Sequence, residues 1–181
     1  MKYLFAWIAG FLFYTDVVAQ KKKVIFCSYN SVGFVTGKLP VAFTAQTENG
    51  FEYNNWFIGA GFGIDLYYRE LMPLFAAVKK SFPTKNNSLF IYINAGRNIV
   101  AKNKKSFTAF STVETSGGFY TDVGIGYKIK ISKKNNIFFS GGSTIKNIRQ
   151  TGFSVDAYGM PGILDTHHKF SSIAFRMGYQ F

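Results

Sequence analysis

Residues 171–181 read "SSIAFRMGYQF". Ile173, Phe175, Met177, Tyr179 and Phe181 occupy alternate positions, with Ser172, Ala174, Arg176, Gly178 and Gln180 between them. A strict period of two belongs to a β-strand, whose successive side chains point to opposite faces. One face here is wholly apolar. The other is small or polar and carries a cation. What the protein is depends on which face meets which solvent.

The same alternation recurs along the chain. In residues 56–68, Trp56, Ile58, Ala60, Phe62, Ile64, Leu66 and Tyr68 share a face, opposed by Gly59, Gly61, Gly63 and Asp65. In residues 119–131, Phe119, Thr121, Val123, Ile125, Tyr127, Ile129 and Ile131 oppose Tyr120, Asp122, Gly124, Gly126, Lys128 and Lys130. Residues 74–82 set Leu74, Ala76, Val78 and Phe82 against Phe75, Ala77, Lys79 and Ser81. Residues 41–53 set Val41, Phe43, Ala45, Phe51 and Tyr53 against Thr44, Gln46, Glu48 and Glu52. The pattern is weaker in 89–97, where Phe90 and Tyr92 fall on the polar side, and mixed in 137–148. Paired asparagines precede three of the runs: Asn54-Asn55, Asn86-Asn87 and Asn135-Asn136. Asparagine tolerates positive φ, so these pairs predict hairpin turns. With a first strand over 24–36 and a last over 172–181, the count is about eight.

On the opposite faces, glycine together with Asp65, Lys79, Asp122, Lys128, Lys130 and Arg176 suits a narrow, crowded, polar interior. The apolar faces are too long and too aromatic for so small a core. Outward apolar bands around a crowded polar interior are what a transmembrane β-barrel requires. Closure of the sheet pairs every backbone donor and acceptor within lipid. The fold predicted is therefore all-β: a closed antiparallel up-and-down transmembrane barrel of about eight strands. A soluble, secreted ligand-binding barrel is the competing architecture, and the strand ending at Phe181 argues against it.

Bulk composition agrees. The 181 residues are 19% aromatic and include 18 glycines but four prolines, which favours strands over helices. The formal net charge of +12 suits anionic lipid or lipopolysaccharide. Nucleic acid is not the expected partner, because the lysines are scattered over strand ends. A single cysteine, Cys27, permits no intramolecular disulfide and no cysteine-based metal site. Residues 1–19 carry Lys2, an apolar run and a small residue at Ala19, the pattern of a cleaved secretory signal peptide. Residues 20–181 then form the barrel, and no later stretch approaches the ~20 apolar residues of a helical span.

The ending "FRMGYQF" resembles the C-terminal signal of bacterial outer-membrane proteins. "GAGFGIDLYY", "MPLFAAVKKSF" and "GGFYTDVGIGYKI" resemble the small outer-membrane barrels of the OmpA/OmpX type, over nearly all of the mature chain. The resemblance implies that Phe175, Met177, Tyr179 and Phe181 are read by the barrel-assembly machinery. It also implies a location in the outer membrane of a diderm bacterium.

If both ends face the periplasm, the asparagine turns lie there too. The outer connections are then residues 37–40, 69–72, 99–118 and 149–170, and the last two, being longest, are where binding is expected. Lys102, Lys104 and Lys105 are candidate contacts for lipopolysaccharide phosphates. Glu48, Glu52, Asp65 and Asp122 are expected to pair with Lys79, Lys128, Lys130 and Arg176 as a structural plug. His167-His168 with Asp165 has no evident third metal ligand, and no cofactor is expected. The function expected is non-catalytic: membrane structure, adhesion or surface recognition by a monomer whose surface ligand the sequence does not specify. The alternatives are a narrow channel for small solutes and a lipid-modifying hydrolase built on His168 with Ser171 or Ser172.

Overall fold

The computed structural model of the protein describes residues 23–67, 70–85, 87–100, 106–108, 111–132, 135–155 and 161–181, with backbone alone at 106–108, 111–114, 153–155, 161 and 163–164. Residues 1–19, where a signal peptide is expected, lie outside the described residues. Nine strands follow in order: β1 (Ile25–Gly37), β2 (Ala42–Tyr53), β3 (Trp56–Asp65), β4 (Leu71–Pro83), β5 (Asn87–Val100), β6 (Ser106–Thr108), β7 (Ser111–Lys130), β8 (Asn136–Val155) and β9 (Pro161–Gln180). Each wall strand pairs antiparallel with its neighbours, β1 pairs with β9, and β5 pairs with β7. Eight strands therefore close into an up-and-down barrel, and β6 is a short spur on β7.

One row of cross-strand partners shows the closure. From Asn87 on β5 the row runs through Ile129, Ile137, Tyr179, Asn30, Thr47, Phe62 and Leu74. It returns to β5 at Arg97, ten residues above its start. That stagger tilts eight strands by roughly 40° and leaves an interior that side chains fill.

Two of the three tight turns lie where the asparagines predict, and Asn86 of the third pair lies outside the described residues. Asn54 and Asn55 have φ of 50° and 65°, the pair of positive values that a two-residue hairpin turn demands. Ile131 and Ser132 donate their N–H groups to the Asn135 carbonyl at the β7–β8 turn. These turns share an end of the barrel with the start of β1 and the end of β9. There the backbones of Ser28 and Phe181 exchange two hydrogen bonds, of 2.9 and 3.1 Å.

The faces are turned as the period-two reading requires. Ile125 is 60% exposed and Val123 and Tyr127 nearly half, whereas Asp122 and Lys128 are buried. The outward band includes Phe34, Phe62, Leu74, Phe139, Phe175 and Met177. The two weak strands fit as well. Phe90 and Tyr92 are buried inside the barrel, where they join Tyr29, Phe57, Phe75, Tyr120 and Phe138 in one cluster. The interior is thus aromatic as well as ionic, which blurred the alternation of β5. Small residues make room for the rings: a Cβ at Gly126 would lie 2.2 Å from the Phe90 ring, and one at Gly61 2.5 Å from Phe75.

Two of the expected outer loops are corrected. Residues 149–170 are mostly strand, because β8 and β9 stay paired up to Val155 and Pro161. Much of 99–118 is strand also, in β6 and the upper part of β7. β7, β8 and β9 have 20 residues each, about 66 Å of extended chain. A tilted crossing needs only ~9–11. The excess projects beyond the wall, past the last β5–β7 pair (Arg97–Phe119) and the last β1–β9 pair (Gly37–Ser172). A register shift between Gly117 and Tyr120 puts one extra residue into β7 where the projection begins. Such a bulge bends a strand, and it swaps the inward phase from Tyr120 below to Thr115 above.

Candidate functional site

Two features carry chemistry: the ionic column inside the barrel and the projecting sheet. The column is built from alternate residues of facing strands. Near the end that holds the termini, the Lys128 ammonium donates to Ser81 Oγ at 2.7 Å and to Tyr29 Oη at 3.2 Å. One layer up, Lys79 Nζ lies 2.8 Å from Glu48 Oε2 and 4.4 Å from the centre of the Tyr29 ring. Asn94 Nδ2 donates to the other Glu48 oxygen at 3.3 Å. Above these, Arg176 Nη1 lies 2.8 Å from Asp122 Oδ2 and donates to Tyr92 Oη at 3.3 Å. Thr144 Oγ1 and Tyr92 Oη both donate to Asp122 Oδ1. Tyr120 ties the layer to β2 by accepting from Gln46 Nε2 at 2.9 Å. At the top of the wall Lys146 donates to Asp65, whose other oxygen accepts the Tyr67 backbone N–H.

Every charged member of the three pairs is buried, with side chains at most 7% exposed. Charges in so dry a place are tolerated only when paired and hydrogen-bonded. The network holds most of the residues the sequence singles out: Glu48 with Lys79, Asp122 with Arg176, Asp65, and Lys128 with neutral partners. Glu52 sits at the mouth, where its Oε2 accepts from Gln180 Nε2 at 3.4 Å and lies 3.8 Å from Cys27 Sγ. Lys130 differs from expectation. It is exposed, because β7 ends there and the interior opens to solvent. Lys146, the partner of Asp65, was missed because residues 137–148 alternate poorly; its position two residues beyond Thr144 was the available signal.

A smaller apolar cluster of Val35, Tyr67 and Ala174 sits above the ion pairs, with Leu39, Ala42 and Phe170 packed on it. Tyr67 and Phe170 meet edge to face at 6.5 Å, and Tyr67 Oη accepts the Leu39 backbone N–H.

On the projecting sheet the outward face turns polar. Ile173 on β9 is followed upward by exposed Ser171, Lys169, His167 and Asp165. Arg149 on β8 makes a two-pronged bond to Asp165, at 2.9 and 2.7 Å. That bond holds the Asp165 carboxyl below the usual carboxylate range. His168 Nε2 bonds Gln150 Oε1 at 3.0 Å, and its ring stacks on Phe170. Ser172 faces the interior and lies four residues along β9 from His168, about 13 Å of strand. Ser171 faces the other way. Neither serine is brought to the histidine. No cluster of three or more His, Cys, Asp and Glu suits a metal among the described residues. Lys102, Lys104 and Lys105 lie outside the described residues.

Closure, outward apolar belt and inward charge define the fold class: an eight-stranded antiparallel up-and-down barrel of the outer-membrane type. Among solved structures the chain is similar to Neisserial surface protein A (NspA), at a TM-score of 0.53 and 11% identity, over 87% of this chain and 97% of that one. No family model and no curated protein sequence matches the chain.

Proposed function

We propose that the chain is an integral outer-membrane barrel whose projecting sheet serves adhesion or recognition at the cell surface, without catalysis. The observation that carries this reading is the switch on the outward face. Ile173, Phe175, Met177 and Tyr179 form an apolar band on β9, and above it Ser171, Lys169, His167 and Asp165 are exposed. A polar sheet standing clear of an apolar belt suits a wall in lipid and a tip in water. The sequence resemblance to the OmpA/OmpX type and the fold shared with NspA, named a surface protein, support the reading, and the leader expected at 1–19 would deliver the chain there. In this reading the assembly machinery binds Phe175, Met177, Tyr179 and Phe181. Lipopolysaccharide phosphates meet Lys102, Lys104 and Lys105, and outward Arg97 on β5, five residues before Lys102 in the sequence, adds a cation. The test is carbonate washing of membranes together with labelling of intact cells at Asn147→Cys, in a Cys27→Ser background. Retention in the pellet and labelling from outside are expected; release by carbonate sinks the reading.

The interior is proposed to be a plug. Aromatic rings, three mutually neutralising ion pairs and Lys128 on its two hydroxyl partners occupy it. A narrow channel is the second reading, favoured by buried side-chain groups of Asn98, Thr115 and Ser172 that have no partner among the described residues. Planar-bilayer recording separates the two: a plug gives no unitary steps, and steps altered by Arg176→Met establish the channel.

A further inference from the structure

The outward wall has an anomaly at its middle. On β2 the outward residues run Phe43, Ala45, Thr47, Asn49, Phe51 and Tyr53. Thr47 and Asn49 therefore lie halfway between the ends of the belt. Asn30, outward on β1, is the cross-strand partner of Thr47. Asn49 is opposite Ala60 on β3, and Ala60 is opposite Ala76 on β4. Asn30, Asn49, Ala60 and Ala76 are exposed. Phe26 and Phe51 pack edge to face below this patch, and Phe34, Phe43 and Phe62 stand above it.

The patch is partly wired to itself. Thr47 Oγ1 donates to Asn30 Oδ1 at 2.8 Å, and Asn30 Nδ2 donates to Ser28 Oγ at 3.2 Å. One Asn30 N–H and the whole Asn49 amide are left to the surroundings. Acyl chains accept and donate nothing, so polar groups at this depth call for a protein partner. The partner must offer polar groups at the same depth. A second copy inserted in the same orientation does so automatically, because a twofold axis along the membrane normal keeps depth and sets the patch against itself. Ala60 and Ala76 let two walls approach closely, as small residues do in membrane contacts.

We propose that the Asn30–Thr47–Asn49 face binds a second copy of this chain, giving a homodimer in place of the monomer expected from the sequence. The inference rests on the membrane reading above. The test is reconstitution in lipid vesicles at about one chain per few hundred lipids, with folding checked by heat-dependent gel mobility. In a Cys27→Ser background, Asn49→Cys treated with a short bismaleimide is expected to give a dimer-sized product. Ile125→Cys, on β7 across the barrel, is expected to give none. By energy transfer between labelled chains, Asn30→Leu with Asn49→Leu is expected to weaken association at least about ten-fold, since each lost contact counts twice across a twofold axis. Leucine suits lipid, so this variant keeps its fold. A wild-type chain that inserts but shows no energy transfer overturns the proposal, as does undiminished association of the double variant. A cross-link in native membranes only to a species of another mass also overturns it. A chain that does not insert at all refutes the membrane reading itself.

Discussion

At the residue scale, the buried carboxylates make the sharpest claims. Asp122 is fully buried and accepts from Arg176, Tyr92 and Thr144. Arg176→Met removes its counter-charge and leaves an anion with only neutral donors. A cost of about 3–5 kcal/mol is expected, against a much smaller one when Asp122→Leu is added. Urea unfolding in lipid vesicles measures both. The worth of the pair lies less in net attraction than in the penalty for breaking it. That asymmetry explains how a chain with net charge +12 keeps three carboxylates inside its wall.

At the scale of the element, glycine placement and strand overrun matter most. Gly126 on β7 faces the Phe90 ring, with 2.2 Å available for a Cβ. Gly126→Leu overpacks the layer and is expected to cost about 1–3 kcal/mol in the same unfolding assay. The projecting sheet offers a pH test. The Arg149 bond lowers the Asp165 pKa in the folded state. The stabilisation from this exposed pair is therefore present above the unfolded carboxylate value of ~3.9 and is lost as pH falls through the lower folded value. Amide exchange between β8 and β9 near Arg149 is expected to speed up only at strongly acid pH, and Asp165→Asn should abolish that dependence. The bulge after Gly117 shows why loop lengths misread from sequence. A strand can leave its wall and continue, and alternation beyond the bulge changes phase.

At the scale of the whole molecule, the belt and the stagger act together. Ile125 lies mid-belt, and Ile125→Arg is expected to cost about 2–4 kcal/mol in vesicles. The same change at Asn147, on the polar projection, should cost little. Equal costs at the two positions, read from urea midpoints, would deny the belt its lipid. The ten-residue stagger fixes barrel width, and width explains why seven rings and three ion pairs fill the interior together.

Alternation alone determined the class of fold, the strand count and the inward set Glu48, Asp65, Lys79, Asp122, Lys128 and Arg176, because a period of two is a local property of the chain. Asparagine pairs likewise marked their turns, because positive φ is decided within a few residues. Only the tertiary structure decided that Asp65 meets Lys146, that Phe90 and Tyr92 belong inside, that Lys130 reaches water, and that three strands outrun the wall. It also placed Asn30 beside Thr47 in the middle of the oily belt. Those outcomes depend on which strand lies beside which and by how many residues each is displaced. That displacement is set only when the sheet closes on itself, so no short stretch of sequence contains it.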